Sequence, residues 1–570
     1  MRILGLNHSN DAACALVEDG HVVAACAEER FTRIKHDANF PHHALAWVLN
    51  QSGLTLDDID RVAFFWNPGR HMDASHGRLV RTPRHHLEYL YSLPTQLLAG
   101  EAAQDLATLP HLELSLPWQR GPRHIDFVTH HLAHAAHAFF DSPFPDAAIL
   151  TVDGYGERAS TVIARGSGTD IEVLTEIDFP HSVGSVYAAV TEYLGFRANN
   201  GEGKVMGLAC YGTPRYLDLF RELLAPTPEG FRVALPYFSY YLDRPTRYAP
   251  KLVKALGPAR QAESPIETRH QDIAASLQAA VEEILIHLAK LARDKTGLDA
   301  LCMAGGVVLN CVANERIVRE AGFSRHFFQP ACHDAGTSVG AALYTAHIIA
   351  GAPRRRDLEA PKTDYLGPSF SPDAIRRALD FSGVAYRDVG DPATDAAERL
   401  ARGRIIGRFS GRAEFGPRAL GNRSILAAPG PASVKDVLNA RVKRREPFRP
   451  FAPSVLESSC GRYFDSDTPS PFMLRAYRTR DDARDALGAI THVDGSARVQ
   501  TVNPAQNADY HALIEAYGAQ SGIDCLLNTS FNVRGEPIVN TPEDALRCFF
   551  STGLDDLYLG PFALEKTKDR

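Results

Sequence analysis

The sequence predicts an α/β protein of more than one domain, whose first part is built from two similar halves. Three observations predict it. A chain of 570 residues exceeds what one hydrophobic core supports, which suggests roughly two to four domains. The pattern strand, Gly- or Asn/Asp-rich turn, hairpin occurs twice, at the N-terminus and again from Ala147. Beyond residue 365, helix-period and strand-period segments alternate, as in a further α/β layer.

The opening reads as a strand over Arg2–Leu6, a second over Ala12–Val17, the tight turn Glu18-Asp19-Gly20, and a third strand over His21–Ala27. Two apolar runs joined by Asp-Gly are a hairpin signal. The second copy runs Ala147–Val152, Asp153-Gly154-Tyr155-Gly156, Ser160–Ala164, a Gly-rich turn and Ile171–Ile177. Residues 66–125, rich in Pro, His and Arg, read as an insertion over a cleft, and the Pro- and Tyr-rich 213–268 as another. From Gln271 to Leu291 apolar residues keep helical spacing and lead to a strand at Ala300–Ala304. The stretch 351–366 has charges, prolines and no apolar period, as a linker does. Helices at Asp373–Leu379 and Asp395–Ala401 and a strand at Ile405–Gly407 follow. These features divide the chain into domains at 1–355 and 365–570.

Apolar and charged fractions of 45% and 23% are those of a soluble globular protein. The net charge of −7 gives no basic field to attract nucleic acid or an anionic membrane. Nine cysteines are scattered singly through apolar runs, which fits buried thiols in a reducing cytoplasm rather than a disulfide framework. No stretch approaches the roughly 18 apolar residues of a membrane span.

Within FVTHHLAHAAHAFF, residues 127–140, four histidines fall inside eight positions of an alanine-rich run. Residues four apart share a helix face, so His130 and His134 project side by side, whereas His131 and His137 leave that face. Buried imidazoles need partners. Asp153, ending a strand in LTVDGYGE, and Asp334, in CHDAGTSVG before a helix, are placed where α/β sheets put ligand-binding groups. Two His and two Asp form a mixed N/O set suited to Fe(II), Zn or Mn. The alternative is imidazoles hydrogen-bonded within a core and aspartates capping helices.

Gly305 and Gly306 in MAGGVVLN lie between strand and helix, where backbone amides approach a nucleotide unobstructed, with Asn310 one turn on. GEGKVMGLACYG is a second Gly-rich turn and carries Lys204. The C-terminal part holds arginines among Gly, Pro and Phe rather than on a Lys/Glu-rich face. They are Arg412, Arg418 and Arg423 in GRAEFGPRALGNRSIL, and Lys443, Arg444, Arg445 and Arg449 in KRREPFRPFAPS. Guanidinium forks bind phosphate or carboxylate bidentately, and Arg418 and Arg449 read as anion ligands. Arg444 and Arg445 read as salt-bridged structural groups. LLNTSFNVRGEPI adds Asn528, Ser530 and Arg534.

In this order, LGLNHSNDAACAL, EERFTRIKHD, HHLAHAAHAF, VDGYGE, GKVMGLACYG, AGGVVLN, EFGPRALGNRSIL, RPFAPS and LNTSFNVRGEPI resemble the NodU/CmcH family of O-carbamoyltransferases, most closely its aminoglycoside (tobramycin-type) members. The resemblance spans nearly the whole chain. It implies an N-terminal duplicated actin/hexokinase-like (TsaD-like) domain and a C-terminal YrdC-like α/β domain. It further implies carbamoyl-adenylate formation from carbamoyl phosphate and ATP, with Mg as the nucleotide's ion, and carbamoyl transfer to a hydroxyl of a small natural-product acceptor such as an aminoglycoside. Carried over residue by residue, His130, His134, Asp153 and Asp334 would hold Fe(II) or a similar ion. Lys35, Gly305, Gly306 and Asn310 would contact the adenylate, with Lys204 nearby. Arg418, Arg449 and Asn528 would bind carbamoyl phosphate, and Lys443, Arg498 and Ser530 would bind ATP.

One departure bears on catalysis. Where the family has His-Asp before the first hairpin, this chain reads Asn10-Asp11, and an amide takes up no proton. Either His8 serves as base for the acceptor hydroxyl, or the metal and Asp11 suffice, or acceptor transfer is slow. Two other functions fit the fold class. One is a TsaD-like tRNA modifier, against which the acidic balance argues. The other is a nucleotide-binding regulatory protein that has lost acceptor transfer.

Overall fold

The structure, a computed structural model, describes residues 1–67, 111–115, 120–242, 244–354 and 362–566. The chain divides into two compact units: 1–28 with 38–359, and 29–37 with 360–570. The segment 29–37, and Lys35 with it, thus groups with the C-terminal unit.

The first unit holds two sheets of related topology. Strands β1 (Arg2–Asn7), β2 (Ala13–Glu18) and β3 (His21–Ala27) form an antiparallel meander, to which β4 (Arg61–Phe64) and β6 (His124–Val128) add in parallel, with β5 (His111–Ser115) antiparallel at the edge. The second sheet repeats the plan. Its meander is β7 (Asp146–Val152), β8 (Ala159–Ser167) and β9 (Asp170–Asp178), extended in parallel by β12 (Ala300–Ala304) and β13 (Arg325–Phe328). The duplication read from the sequence is present at the level of strand order. Asp19 and Gly20 adopt φ of 50° and 81°, the left-handed pair that the Asp-Gly hairpin turn requires.

One expectation is corrected here. Residues 111–115, read as part of the insertion, form the edge strand β5, and the insertion ends before 125, where β6 (His124–Val128) has already begun. The 213–268 stretch folds into the helices Leu217–Leu223 and Pro250–Leu256 and a ribbon of β10 (Leu224–Thr227) and β11 (Gly230–Val233). Residues 68–110 and 116–119 of the first insertion lie outside the described residues. The long helix spans Thr268–Thr296 and ends at Gly297 in the left-handed conformation.

A helix follows the last parallel strand of each sheet, and each packs on the opposite sheet. His130–Asp141 lies on β7 and β12; Ala335–Tyr344 lies on β1 and β2, and the two helices pack on one another. Their approach is closer than side chains allow. A Cβ on Gly340 would collide with the Ala133 carbonyl, and one on Gly336 with the Ala331 carbonyl and the His137 ring. That closeness brings Asp334, just ahead of the second helix, to the histidines at the start of the first.

The C-terminal unit is built on a nine-stranded mixed sheet. Its strands are β14 (Arg387–Asp388), β15 (Ile406–Phe409), β16 (Arg423–Ala427), β17 (Ala452–Leu456), β18 (Arg475–Arg478), β19 (Ser496–Val502), β20 (Cys525–Ser530), β21 (Asp556–Leu559) and β22 (Phe562–Glu565), in the order β14-β22-β21-β15-β16-β20-β17-β19-β18. Separate apolar cores cover it, one around Phe409, Val455 and Phe531, the other around Leu426, Tyr510 and Leu526. The expected helices appear as Pro372–Ser382 and Pro392–Ala401, each begun earlier than its apolar period by a side-chain cap (Ser371, Asp391) and a proline. All nine cysteines are free, and all except Cys210 are buried. Among the described residues no helix is long and apolar enough to cross a membrane.

Gly340→Ala should destabilise the first unit by about 3 kcal/mol, because neither backbone can withdraw without opening the helix pair. A denaturant midpoint unchanged from wild type would show that the crossing is looser than described.

Candidate functional site

The metal ligands expected from sequence converge. His130 Nε2 and His134 Nε2 lie 3.1 and 3.0 Å from Asp153 Oδ2, and 3.9 and 4.0 Å from Asp334 Oδ1. All four ligand atoms fall within 4.8 Å of one another. Donors about 2.1 Å from a common cation stand roughly 3.0 to 3.4 Å apart, so the set needs only a small inward movement of Asp334 to close on a divalent ion. Hydrogen bonding within the protein does not otherwise explain Asp334. It occupies the N-cap position of Ala335–Tyr344, yet its side chain makes no cap bond. Its Oδ2 instead accepts from Ser9 Oγ at 2.9 Å.

Burial sharpens the electrostatics. Burial works against a charged His130, but the hydrogen bond to Asp153 and the charges of Asp334, Asp153 and Glu157 outweigh it and raise the imidazole to about 9. Burial and the His130 charge press His134 down to about 4, despite its bond to Asp153. Asp334 is pushed up to about 7 by burial and by Asp153, with a smaller push from Asp11. Although burial opposes it, the two imidazole hydrogen bonds hold Asp153 well below the usual carboxylate range. A group of imidazoles and carboxylates that disagree this strongly over protons is what a cation would resolve. The Nδ1 atoms of His130 and His134 are buried without a hydrogen-bond partner, so packing orients the rings: Phe65 and Trp66 each stand edge-on to His130 at 5.8 Å.

His131 is set apart as the sequence suggested. Its Nδ1 meets Thr151 Oγ1 at 2.7 Å and its Nε2 meets the Ala159 carbonyl at 3.0 Å, the two bonds of a neutral core imidazole. His137 faces Asp141 instead, at 3.9 Å.

Several supporting residues escaped the sequence reading. Glu157 is buried, and its carboxylate accepts the His130 amide at 2.9 Å and the Asn67 amide at 2.6 Å. The helix bearing both imidazoles has no side-chain cap from its own Thr129, so Glu157 supplies it from 27 residues away, beyond any local capping signal. Burial raises the Glu157 carboxyl even so. Asn7 bonds the Asp334 carbonyl and Thr337 Oγ1, and its Oδ1 accepts from Ser9 N at 2.6 Å, which sets the β1–β2 turn against Asp334. In that turn, the His8 ring packs edge-on to Phe64 at 4.9 Å, and Asp11 acts electrostatically on Asp334.

Gly305 has φ +100°, donates its amide to the Cys332 carbonyl at 2.8 Å, and has no room for a Cβ against the Val152 carbonyl. Its amide is therefore already committed. A Cβ on Gly306 would stand 3.1 Å from Asp153 Oδ1, beside the ligand set. The Asn310 side chain accepts the Ala313 amide and exchanges two 3.0 Å bonds with Gln278, which also bonds Tyr187 and Glu282. Lys204 lies 5.4 Å from the Phe196 ring.

In the C-terminal unit the sequence-predicted cations gather. The Lys443 amine is buried and donates to neutral oxygens alone, those of Ser530 and Asn532. Burial and the like charges of Arg445, Arg449 and Lys35 hold it well below its usual range. Burial, Arg449 and Arg498 do the same to Arg445. Arg449 is lowered by burial, with Arg534 and Arg418 adding to it, while Glu446 opposes at 3.8 Å. The expectation of a salt-bridged Arg445 is corrected: it bonds Asn439 Oδ1 and the Pro450 carbonyl, stacks on Phe451, and belongs to the cation set. Arg444 is exposed and bonds the Ser551 carbonyl. Arg423 is fully buried on the Phe409 ring with four carbonyl acceptors, and Arg412 bonds Leu366 and Gly367, so these two are structural.

Asn528 is buried on β20 with Nδ2 facing the Ala419 carbonyl, Ser454 Oγ and Gln500 Oε1. Gln500 is itself fixed by its bond to the Leu420 carbonyl. The amide orientation is thereby set, and Asn528 Oδ1 is left as a buried acceptor without a hydrogen-bond partner.

Residues 2–343 match the family described as Carbamoyltransferase N-terminus, and residues 397–566 match Carbamoyltransferase C-terminus. The Synechocystis protein sll1178, described as uncharacterized, is 42% identical across 99% of this chain and 97% of its own length. Nodulation protein NolNO of Sinorhizobium fredii is 40% identical across 98% of this chain and 79% of its own. A 3'-hydroxymethylcephem-O-carbamoyltransferase of Amycolatopsis lactamdurans is 32% identical across 63% of this chain and 64% of its own.

Glu157→Ala should weaken divalent-cation affinity by about 10- to 100-fold, while Glu157→Gln, which keeps an acceptor oxygen, should stay near wild type. Competition against a chromophoric chelator reads both. Wild-type affinity in the alanine variant would remove Glu157 from the support of the site.

Proposed function

Since the chain belongs to the carbamoyltransferase family and is an enzyme, we propose that it makes carbamoyl-adenylate from carbamoyl phosphate and ATP and passes the carbamoyl group to a hydroxyl of a small acceptor. The observation that carries this reading is Lys443, a buried amine with neutral oxygen partners in the midst of like charges. Unpaired buried cations are unfavourable unless an anion joins them, and phosphorylated substrates supply that anion.

In the first half-reaction water cleaves carbamoyl phosphate to carbamate and phosphate. A carbamate oxygen then attacks the α-phosphorus of ATP, forming carbamoyl-adenylate and releasing pyrophosphate. Arg418 and Arg449 would neutralise the phosphate of the carbamoyl donor, and Lys443, Arg498 and Ser530 the triphosphate. The unpartnered Asn528 Oδ1 suits the carbamoyl NH2, a donor group.

In the second half-reaction the acceptor hydroxyl attacks the carbamoyl carbon, AMP leaves, and the hydroxyl proton passes to a base. A divalent cation held by His130, His134, Asp153 and Asp334, for which Fe(II), Zn or Mn fits, would supply Lewis-acid polarisation of the carbamoyl carbonyl. Gly306 and the Gln278-held Asn310 would seat the nucleotide, and the duplicated actin-like and YrdC-like assignments of the two units belong to this same reading. His8 is the base we assign, because its turn lies against Asp334 while Asn10 cannot accept the proton. For the acceptor, Trp66, Tyr155, Phe179 and Tyr240 form a file of rings, each 4.8 to 5.9 Å from the next, starting at His130. Such rings suit the apolar face of a sugar, in line with a polyhydroxylated natural product.

The two half-reactions should separate. Arg449→Ala should abolish carbamoyl phosphate-dependent exchange of labelled pyrophosphate into ATP. Asp153→Asn should keep the exchange and lose transfer, followed as a carbamoyl mass gain on a panel of alcohols. Wild-type protein without exchange would sink the proposal, and exchange with no transfer to any alcohol would favour a nucleotide-binding protein without acceptor chemistry. His8→Ala should lower transfer by about 10²-fold with exchange intact, and Asn10→His in that background should restore part of it. Full transfer by His8→Ala would clear His8 of the role.

A further inference from the structure

The short helix Glu29–Thr32 and the residues after it pack as part of the C-terminal unit, and two arginines three residues apart behave differently there. Arg33 Nη1 and Nη2 donate to the Ile538 and Pro537 carbonyls at 2.7 and 2.8 Å, with Asp544 at 3.5 Å from Nε. It fastens the segment to the unit. Arg30 is 3% exposed, and its Nη2 donates to the Gly416 carbonyl at 3.0 Å. Its Nη1 and Nε, equally buried, have no hydrogen-bond acceptor. The neighbouring Glu29 carboxylate is 3.8 Å from Nε, beyond hydrogen-bond reach.

We propose that Arg30 is a further phosphate ligand of the C-terminal unit, supplied by segment 29–37, and that it donates an open N–H, from Nε or Nη1, to an oxygen of a phosphoryl group bound at the Gly416-Pro417-Arg418 turn. This rests on the reading that the unit binds phosphorylated substrates. The turn is itself rigidly held. Asp364 accepts the Gly416 amide at 2.8 Å, and Glu414 Oε1 accepts the Leu420 and Asn422 amides at 2.7 and 2.8 Å. Arg30 therefore grips a fixed turn at Gly416, two residues before Arg418, and the rest of its fork is oriented before a ligand arrives. Nε and Nη1 lie on opposite edges of the guanidinium plane, so each offers its own N–H, and one charge-assisted bond from either suits a phosphate oxygen. Glu414 Oε2 is also a buried atom without a hydrogen-bond partner. An ordered water joining it to Arg30 is the rival account, and that account gives Arg30 no part in anion binding.

The full-length protein, titrated calorimetrically with ATP and separately with phosphonoacetamide (a carbamoyl phosphate analogue), decides between them. Arg30→Ala should weaken one of the two by about tenfold. Loss for ATP alone places Arg30 on the triphosphate, loss for phosphonoacetamide alone on the carbamoyl donor, and either supports the proposal. Arg30→Lys, which keeps the charge and loses the fork, should fall between alanine and wild type, and serves as the readout if Arg30→Ala does not fold. Arg33→Ala should lower thermal stability with both affinities unchanged, as a purely structural arginine would. Wild-type affinity for both probes in Arg30→Ala, or in Arg30→Lys where that is the readout, overturns the proposal and favours the water. Failure of the wild type to bind either probe refutes the phosphate-site reading itself, and Arg30's role with it.

Discussion

One carboxylate oxygen organises the first unit: Asp153 Oδ2, 3.0 and 3.1 Å from two buried imidazole nitrogens. Three independent backbone features must hold for that to happen. The strand β7 must end where Asp153 turns, with Oδ1 taking the Gly154 amide at 2.7 Å. The His130 helix must start in register, which Glu157 ensures. The Ala335–Tyr344 helix must approach closely enough for Asp334 to join, which Gly336 and Gly340 permit. Errors of an ångström in any of these would scatter the donors, so the ligand set depends on packing far from the ligands themselves.

The C-terminal unit presents the opposite electrostatic problem. Lys443 and Arg445 are taken out of water beside Arg449 and are tied to amide and carbonyl oxygens instead of carboxylates. Neutral acceptors fix the geometry of a cation without cancelling its charge. A carboxylate would have done both and left nothing for a ligand to neutralise. Within the same unit Arg423 shows the structural alternative: four carbonyls take its two Nη groups and an aromatic face covers its plane.

Much of this was legible in the sequence because it is periodic or local. The i, i+4 histidines, the Asp-Gly hairpin and the two strand–turn–hairpin copies are short-range signals. What was missed is long-range. Glu157 caps a helix 27 positions earlier, Ser9 reaches Asp334, and Gln500 fixes the Asn528 amide. No local pattern announces such bonds. β5 was overlooked because an edge strand has polar residues where a central one is apolar. Arg445 was read together with Arg444 as a salt-bridged structural group, whereas the turn at Arg444, with φ 47°, sends the two to different places.

The division of the chain also constrains how the second unit folds. Glu28 accepts the His43 and Ala44 amides inside the first unit, while the next residue, Glu29, accepts the His36 amide inside the second. Arg33 fills two carbonyl acceptors, at Pro537 and Ile538. A cut at residue 360 would therefore leave those carbonyls, and the Gly416 carbonyl that Arg30 takes, without their donors. The second unit is complete only when residues 29–37 have been made and folded onto it. Its cation set, which includes Lys35, cannot assemble from the C-terminal polypeptide by itself.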